Sequence, residues 1–461
     1  MKLTPLLFVL SGLLITAPIA HSKNAILFLG DGMGVSTVTA ARIYVGQQRG
    51  QTGEEFDLEF DTFENAALVK TYNTDAQVAD SAGTISAIVT GLKTRMGVLS
   101  VNAEVPRGDC ASALDNEVPT ILEMAESAGY ASGIVSTARI THATPAGTYA
   151  HSPDRDWEDS ASLSAEQRAL GCRDIATQLV EFAHGNGVDV ILGGGRAHFT
   201  PDTLSDPEYP DKKGRRDDQR NLIAEWLQAA DNRHYAWNSD TFAAFDLDIK
   251  SQYLGLFEPS HMQFDADRAN DPAGEPSLAE MTAFAIKRLQ HNEKGYFLLI
   301  EAGRIDHGHH FGNAYRALQD TAALNDAVKT ALELVDLEDT LIMVTADHSH
   351  TLTISGYPPR GNPILGKVPP MKAMPFTNPK GVAYTTLSYA NGGGHQSPYP
   401  DLSEVDTTAP DYRQQATVPL PIETHAGEDV AAYATGKNAD AVRGTMEQNE
   451  LFQVLKGALF D

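Results

Sequence analysis

Residues of metal-ligating type crowd into three short stretches of the chain. Asp306, His309 and His310 lie in one, Asp347, His348 and His350 in a second, and His425 in a third. Carboxylate and neutral imidazole in combination favour zinc, and a zinc left with an open coordination position is catalytic. Asp306 and His310 are four residues apart, one helical turn, so a helix puts both on one face. A lone histidine is more often a solvated or core residue; ligand types recurring at separate segment ends turn the reading towards a metal. A second signal is Asp80-Ser81-Ala82-Gly83-Thr84, which leads into the helical run Ile85 to Val89. A hydroxyl at a helix N-terminus sits among free N–H groups and at the positive end of the helix dipole, a setting that suits phosphate. The same residues also read as an ordinary helix cap. On residue types alone the two readings stand level.

These groups need rigid elements to hold them. Ala25–Leu29 leads into Gly30-Asp31-Gly32, Gly133–Thr137 into Arg139 to Thr144, Val188–Leu192 into three glycines, Tyr296–Ile300 into Glu301 and Asp306, and Leu341–Thr345 into Asp347-His348. Continuous apolar runs of this length fit strands buried on both faces of a parallel sheet. Helical periodicity lies between them, at Ile121/Leu122/Ala125, Leu278/Met281/Ala285/Leu289 and Leu318 to Leu334. Alternation of this kind predicts an α/β fold, whose ligands sit at the carboxyl ends of the strands. Residues 356–420 break the alternation with Pro358-Pro359, Pro369-Pro370 and Gly392-Gly393-Gly394, and read as an irregular insertion containing a strand-like piece at Val382–Leu387.

The 461 residues carry 35 Lys+Arg and 61 Asp+Glu, a net charge of −26. That field repels polyanions and argues against nucleic acid or an anionic membrane as a partner. Met1-Lys2 and the apolar run to Ile15, followed by Ala20 and Ser22, read as a secretory signal over residues 1–22, too short to span a membrane. The chain end lacks the long apolar tail of a lipid-anchor signal, so no membrane anchor is expected. In an exported, secreted or periplasmic chain the two cysteines, Cys110 and Cys172, most simply pair.

Six strings occur in one order: Gly30-Asp31-Gly32-Met33-Gly34, Asp80 to Thr84, Arg139-Ile140-Thr141-His142-Ala143-Thr144-Pro145, Arg304 to His310, Thr345 to His348, and Thr424-His425-Ala426-Gly427-Glu428. Together they resemble the alkaline phosphatase family over nearly the whole chain beyond the signal. The resemblance implies a three-layer α/β/α sandwich with a central, mostly parallel sheet over 23–461, with 356–420 as a crown-like insertion at a homodimer interface. It implies hydrolysis of small-molecule phosphate monoesters at alkaline pH through a phosphoserine at Ser81. One zinc would take Asp306, His310 and His425; the other would take Asp31, Asp347, His348 and the Ser81 oxygen; a magnesium would take Asp31, Thr144 and Glu301. Arg139 would clamp two phosphate oxygens, and His307 would reach the phosphate through water. His142 would stand behind the magnesium. His142 and His307 occupy positions where one bacterial pattern has Asp and Lys, and follow the vertebrate-like pattern instead. A calcium ion would take Glu208, Phe257, Glu258 and Glu275, the last standing where family members usually carry Asp. His309 and His350 match no ligand position and are expected behind the ligands or at the surface.

Two neighbouring activities fit less well. Phosphodiesterases of this type usually carry Thr at the nucleophile position and lack the Arg139 string. Sulfatases need a Cys-x-Pro-x-Arg setting, whereas Cys110 and Cys172 are followed by Ala-Ser-Ala and Arg-Asp-Ile. A non-catalytic zinc or phosphate binder would keep the ligands and have no need of Ser81.

Overall fold

The computed structural model describes residues 23–248, 250–369 and 381–461; the expected signal, and residues 370–380 of the insertion, lie outside the described residues. Among the described residues no helix is long and apolar enough to cross a membrane.

Fifteen strands follow one another along the described chain: β1 Asn24–Gly30, β2 Asn65–Lys70, β3 Ala131–Arg139, β4 Val190–Gly194, β5 Arg233–Ala236, β6 Gln252–Leu256, β7 Tyr296–Ala302, β8 Thr340–Ala346, β9 Ser349–His350, β10 Leu352–Ile354, β11 Leu387–Gly392, β12 Ala416–Pro419, β13 His425–Ala426, β14 Val430–Gly436 and β15 Gly444–Glu447. Ten of them form one sheet in the order β15-β2-β14-β8-β1-β7-β3-β4-β6-β5. Only β14 runs against the others. The five apolar runs of the sequence are β1, β3, β4, β7 and β8, with β4 starting two residues later than the run. The other five strands are shorter, mixed in polarity or at the sheet edges, and carry no comparable signal.

Strands β1, β7 and β8 are buried along their whole length. One set of helices (Val35–Gln48, Leu278–Leu289 and Ala314–Leu334) and another (Ser81–Thr90, Ile121–Ser127 and Leu451–Phe460) pack against the sheet, both reaching β1. That accounts for unbroken apolar strands: neither sheet face meets water. Burying about 25 cal/mol per Å² of apolar surface on both faces is the main term holding the layers together.

Sheet order decides where chemistry can occur. Strands β8, β1, β7 and β3 are neighbours and parallel. Their carboxyl ends deliver Asp347-His348, Asp31, Glu301 with Asp306, and the Arg139–Thr144 segment to one edge. In the insertion the strand-like piece sits later than the sequence suggests: β11 begins at Leu387 and joins β10 and β12 in a small sheet of its own. Cys110 and Cys172 are disulfide-bonded with Cα atoms 6.0 Å apart.

The segment after β3 turns back across the strand ends. Ser152 exchanges backbone hydrogen bonds with Leu99, and Arg155 N donates to Gly97 O. His151 bolts this segment down, with Nδ1 2.8 Å from Ser100 O and Nε2 2.8 Å from Glu123 Oε1. Burial alone would push the imidazole pKa down, but the hydrogen bond and charge of Glu123 hold it above its ordinary 6.5. Burial likewise opposes ionisation of Glu123, and His151 outweighs it, so that carboxyl titrates below its ordinary 4.5. The histidine's contribution is complete below about 6.5 and fades as pH rises through its raised pKa; the glutamate's is complete above about 4.5 and fades as pH falls through its depressed one. Glu123→Gln keeps the helix cap that Glu123 makes with Thr120 while removing the charge. The melting-temperature gap between wild type and this variant should be widest between about pH 4.5 and 6.5 and narrow on both sides. A gap independent of pH would contradict the ion pair.

Candidate metal centre and nucleophile

Asp31 follows β1 directly and is completely buried. Gly32 after it has φ +68°, and a Cβ there would run into the His350 ring, so this tight turn requires glycine. Asp347 and His348 follow β8. Asp347 Oδ1 accepts from Gly32 N and from its neighbour His348 N, both at 3.0 Å, which ties the ends of β1 and β8 together. His348 Nε2 lies 3.4 Å from Asp31 Oδ1 and 3.3 Å from Asp347 Oδ2.

Ser81 is the first residue of the helix Ser81–Thr90, all ten residues of which are buried. Asp80 caps that helix by accepting from Gly83 N at 3.1 Å. Cap and hydroxyl are therefore neighbouring residues: Asp80 makes the cap, and the Ser81 hydroxyl is not used for it. Ser81 Oγ lies 3.1 Å from His348 Nε2 and 3.5 Å from Asp31 Oδ1.

A second group surrounds Asp306, on the helix Arg304–His310 after β7. Its Oδ1 is 2.7 Å from His350 Nε2, 3.2 Å from His310 Nε2 and 3.3 Å from His425 Nε2. The Asp306 carboxyl would be raised by burial, but these imidazoles bring it well below the usual range. The pairing of β13 with β9 sets His425 opposite His350. His309 and His350, left unplaced by the sequence, are both buried rather than at the surface. His309 bridges Thr37 Oγ1 at 3.0 Å and Tyr389 OH at 2.8 Å, and its ring stacks on His350.

Asp31, His142 and Glu301 make a third group of potential donors, within 4.8 Å of one another. Asp31 Oδ2, Thr144 Oγ1, Glu301 Oε1 and His142 Nδ1 are all buried without a hydrogen-bond partner. Burial, then the neighbouring carboxylates, raise Asp31 well above the usual range and Glu301 to about 8. Unpaired buried oxygens gathered around like charges are what a cation would satisfy, so the residues present fit metal ions. The oxygen-rich set at Asp31, Thr144 and Glu301 suits magnesium, and the mixed imidazole–carboxylate sets suit zinc.

The Arg139 guanidinium is paired with Glu158 rather than left free for a phosphate. Its Nε and Nη2 each reach a Glu158 oxygen at 2.7 Å, and Nη1 faces Ser260 and His261. That fork is already matched to a carboxylate. Arg155, rather than Arg139, reaches the residue before Ser81: Nη1 is 3.1 Å from Asp80 Oδ2 and Nη2 is 3.2 Å from His142 Nε2. Nothing in its local sequence, Ser152-Pro153-Asp154-Arg155-Asp156, marks it; the folding of this segment against Gly97 and Leu99 brings it in. His142 is pushed well below its usual range, first by burial and then by the Arg155 and Arg139 charges. His307 packs against His261 with ring centres 4.1 Å apart and receives Arg304 Nη1 at 3.2 Å.

Away from this centre, Glu208, Glu258 and Asp271 converge within 4.8 Å. Asp271 was not singled out by the sequence. Glu275 lies alongside rather than in the group, joined through Gln263, which donates to Glu275 Oε1 at 2.9 Å and to Glu258 Oε1 at 2.8 Å. Burial and the neighbouring carboxylates raise Glu275 to about 9. Phe257 is buried beside them in the sequence.

Fold and site together define a class: a hydrolase on an α/β/α scaffold with a hydroxyl set among candidate metal-binding groups. A family model described as alkaline phosphatase matches residues 22–460. The chain belongs to the alkaline phosphatase family and is a phosphoric monoester hydrolase. It is 46% identical to the tissue-nonspecific alkaline phosphatase isozyme of Gallus gallus over 437 residues, covering 93% of this chain and 82% of that one. It is 44% identical to the alkaline phosphatase of Gadus morhua, covering 93% and 90%. The fold is shared with the solved alkaline phosphatase of Thermus thermophilus, with a TM-score of 0.67 at 24% identity over 96% of this chain and 92% of that one. It is shared also with that of the Antarctic bacterium TAB5, with a TM-score of 0.63 at 21% identity over 96% and 98%.

The two arginines separate by experiment. Arg155→Ala should raise the inhibition constant of inorganic phosphate and lower kcat/KM by about 10²-fold, the loss of a charged bidentate contact. Arg139→Ala should strand Glu158 and lower stability by about 3 kcal/mol with a much smaller effect on phosphate inhibition. Phosphate inhibition that weakens in Arg139→Ala and not in Arg155→Ala would reverse the assignment.

Proposed function

We propose that the enzyme hydrolyses a broad range of phosphate monoesters by passing the phosphoryl group first to Ser81 and then to water. The observation that supports this most directly is the place of Ser81 Oγ: at the start of a buried helix, 3.1 Å from His348 Nε2 and 3.5 Å from Asp31 Oδ1. Asp31 belongs to two of the candidate metal groups, so the hydroxyl adjoins both.

Zinc bound at Asp306–His310–His425 and at Asp31–Asp347–His348, with magnesium at Asp31–Thr144–Glu301, would supply Lewis acidity for the charge that develops on the entering and leaving oxygens of an in-line displacement. The remaining work falls to the chain. Ser81 Oγ gives its proton to solvent and bonds to phosphorus as the ester P–O bond breaks, and the departing alkoxide takes a proton from solvent. Water then attacks phosphorus, the Ser81 oxygen leaves, and phosphate is released. The free N–H groups and positive dipole end of the helix Ser81–Thr90 favour the anion on Ser81. Arg155, steadied by Asp80 and His142, takes phosphate oxygens through its planar fork. His307 orients a water between itself and the phosphate. Because metal ligands must be deprotonated to bind, activity favours alkaline pH.

Outside the centre, Glu208, Glu258 and Asp271 would hold calcium, with Glu275 joined to them through Gln263 and Phe257 next to Glu258 in the chain. The disulfide accords with export to the periplasm or the medium after removal of residues 1–22. The 356–420 insertion serves as a crown between two copies of the chain, and sedimentation should give a homodimer; a monomer at micromolar concentration would contradict this.

Two measurements test the mechanism. Ser81→Ala should lower turnover of a chromogenic phosphate monoester by more than about 10³-fold while the zinc content stays at two per chain; unchanged turnover would remove Ser81 from its role. Dialysis against a chelator should abolish turnover of the wild type, and added zinc should restore it. Activity that survives complete removal of metal would refute the cofactor assignment.

A further inference from the structure

The group around Asp306 contains three imidazoles, and their second nitrogens set them apart. His310 Nδ1 donates to the backbone oxygen of Glu423 at 2.6 Å, and His425 Nδ1 donates to Ala79 O at 2.8 Å. Each leaves its Nε2 lone pair free for a metal. His350 is held differently. Its Nδ1 lies 2.5 Å from Glu423 Oε2 and its Nε2 lies 2.7 Å from Asp306 Oδ1. Carboxylate oxygens only accept, so His350 donates from both nitrogens and has no lone pair to offer. It braces the group without ligating.

Glu423 stands at the centre of this arrangement and is completely buried. Its Oε1 accepts from Thr351 N at 2.7 Å and Thr351 Oγ1 at 2.6 Å, which locks the carboxylate plane. Its backbone N also donates to His310 O at 3.0 Å. It precedes His425 by two residues, so one residue governs His310 by its backbone, His350 by its side chain and His425 by the course of the chain. We propose that Glu423 is a positioning residue for the Asp306–His310–His425 zinc, acting through His350 on Asp306; this rests on the reading of that group as a zinc site. Without the carboxylate the His350 ring loses its anchor, Asp306 Oδ1 loses its fixed donor, and that zinc is held less firmly.

The test follows zinc release from the loaded enzyme to a chromogenic chelator, beside turnover. In Glu423→Ala one of the two zincs should leave at least about 10-fold faster, the scale of such supporting contacts, while the other leaves at the wild-type rate. Glu423→Gln should stay near wild type, because its amide oxygen can still accept from Thr351 while its amide N–H donates to His350 Nδ1, leaving Nε2–H on Asp306. Thr351→Val, which removes one support and is the mildest change, should speed loss of the same zinc by an intermediate factor. Wild-type release rates in Glu423→Ala would overturn the proposal, as would a Gln variant as leaky as the Ala variant. If Glu423→Ala does not fold, wild-type rates in Thr351→Val would overturn it in the same way. Elemental analysis of the wild type comes first: an enzyme that binds no zinc would sink the metal reading itself, a separate result.

Discussion

Four carboxylates, Asp31, Glu301, Asp306 and Asp347, are buried together at one edge of the sheet. Burying one ion without a partner is expensive, and gathering four of like sign is more so. The surroundings divide them. Asp306 is compensated by imidazoles. Asp31 and Glu301 each keep one oxygen without a hydrogen-bond partner. The protein thus carries an electrostatic deficit among its candidate metal-binding groups, and a core that is rigid enough not to relax it away.

That deficit explains the effort devoted to support. Asp347 is fixed by backbone N–H groups from the ends of two strands, His310 and His425 by backbone carbonyls, and His309 by Thr37 and Tyr389. Tyr389 lies on β11, so the small sheet of the insertion reaches the histidine layer behind the centre. Arg155 is anchored at both ends of its fork. Such contacts fix the candidate ligands in place, which would limit the reorganisation that metal binding demands.

Much of this was legible in the chain. Strands buried on both faces must be apolar throughout, which is why β1, β3, β4, β7 and β8 stood out, and a string of candidate ligand types follows four of them at one edge of the sheet. Ser81 was legible because helix capping and anion binding draw on the same backbone groups. Strands β2, β5, β6, β14 and β15 were not, being short or mixed in polarity; their pairing is decided by the neighbours they find. Asp271 stayed hidden because an acidic residue in a polar loop looks like any solvated one until other carboxylates converge on it.

The two arginines show the dividing line. Both are single guanidinium groups near the right strings, and residue type cannot tell them apart. Arg139, the last residue of β3, meets Glu158; Arg155 reaches Asp80 because Ser152 and Arg155 hydrogen-bond back onto Leu99 and Gly97. The sequence by itself determined the layered fold, the clustering of candidate ligand types and the helix start at Ser81, since these follow from local polarity patterns and short spacings. Which arginine pairs with Asp80 and which with Glu158, and which histidine lies between two carboxylates, only the tertiary structure decided, because a side chain's partners there are set by long-range folding.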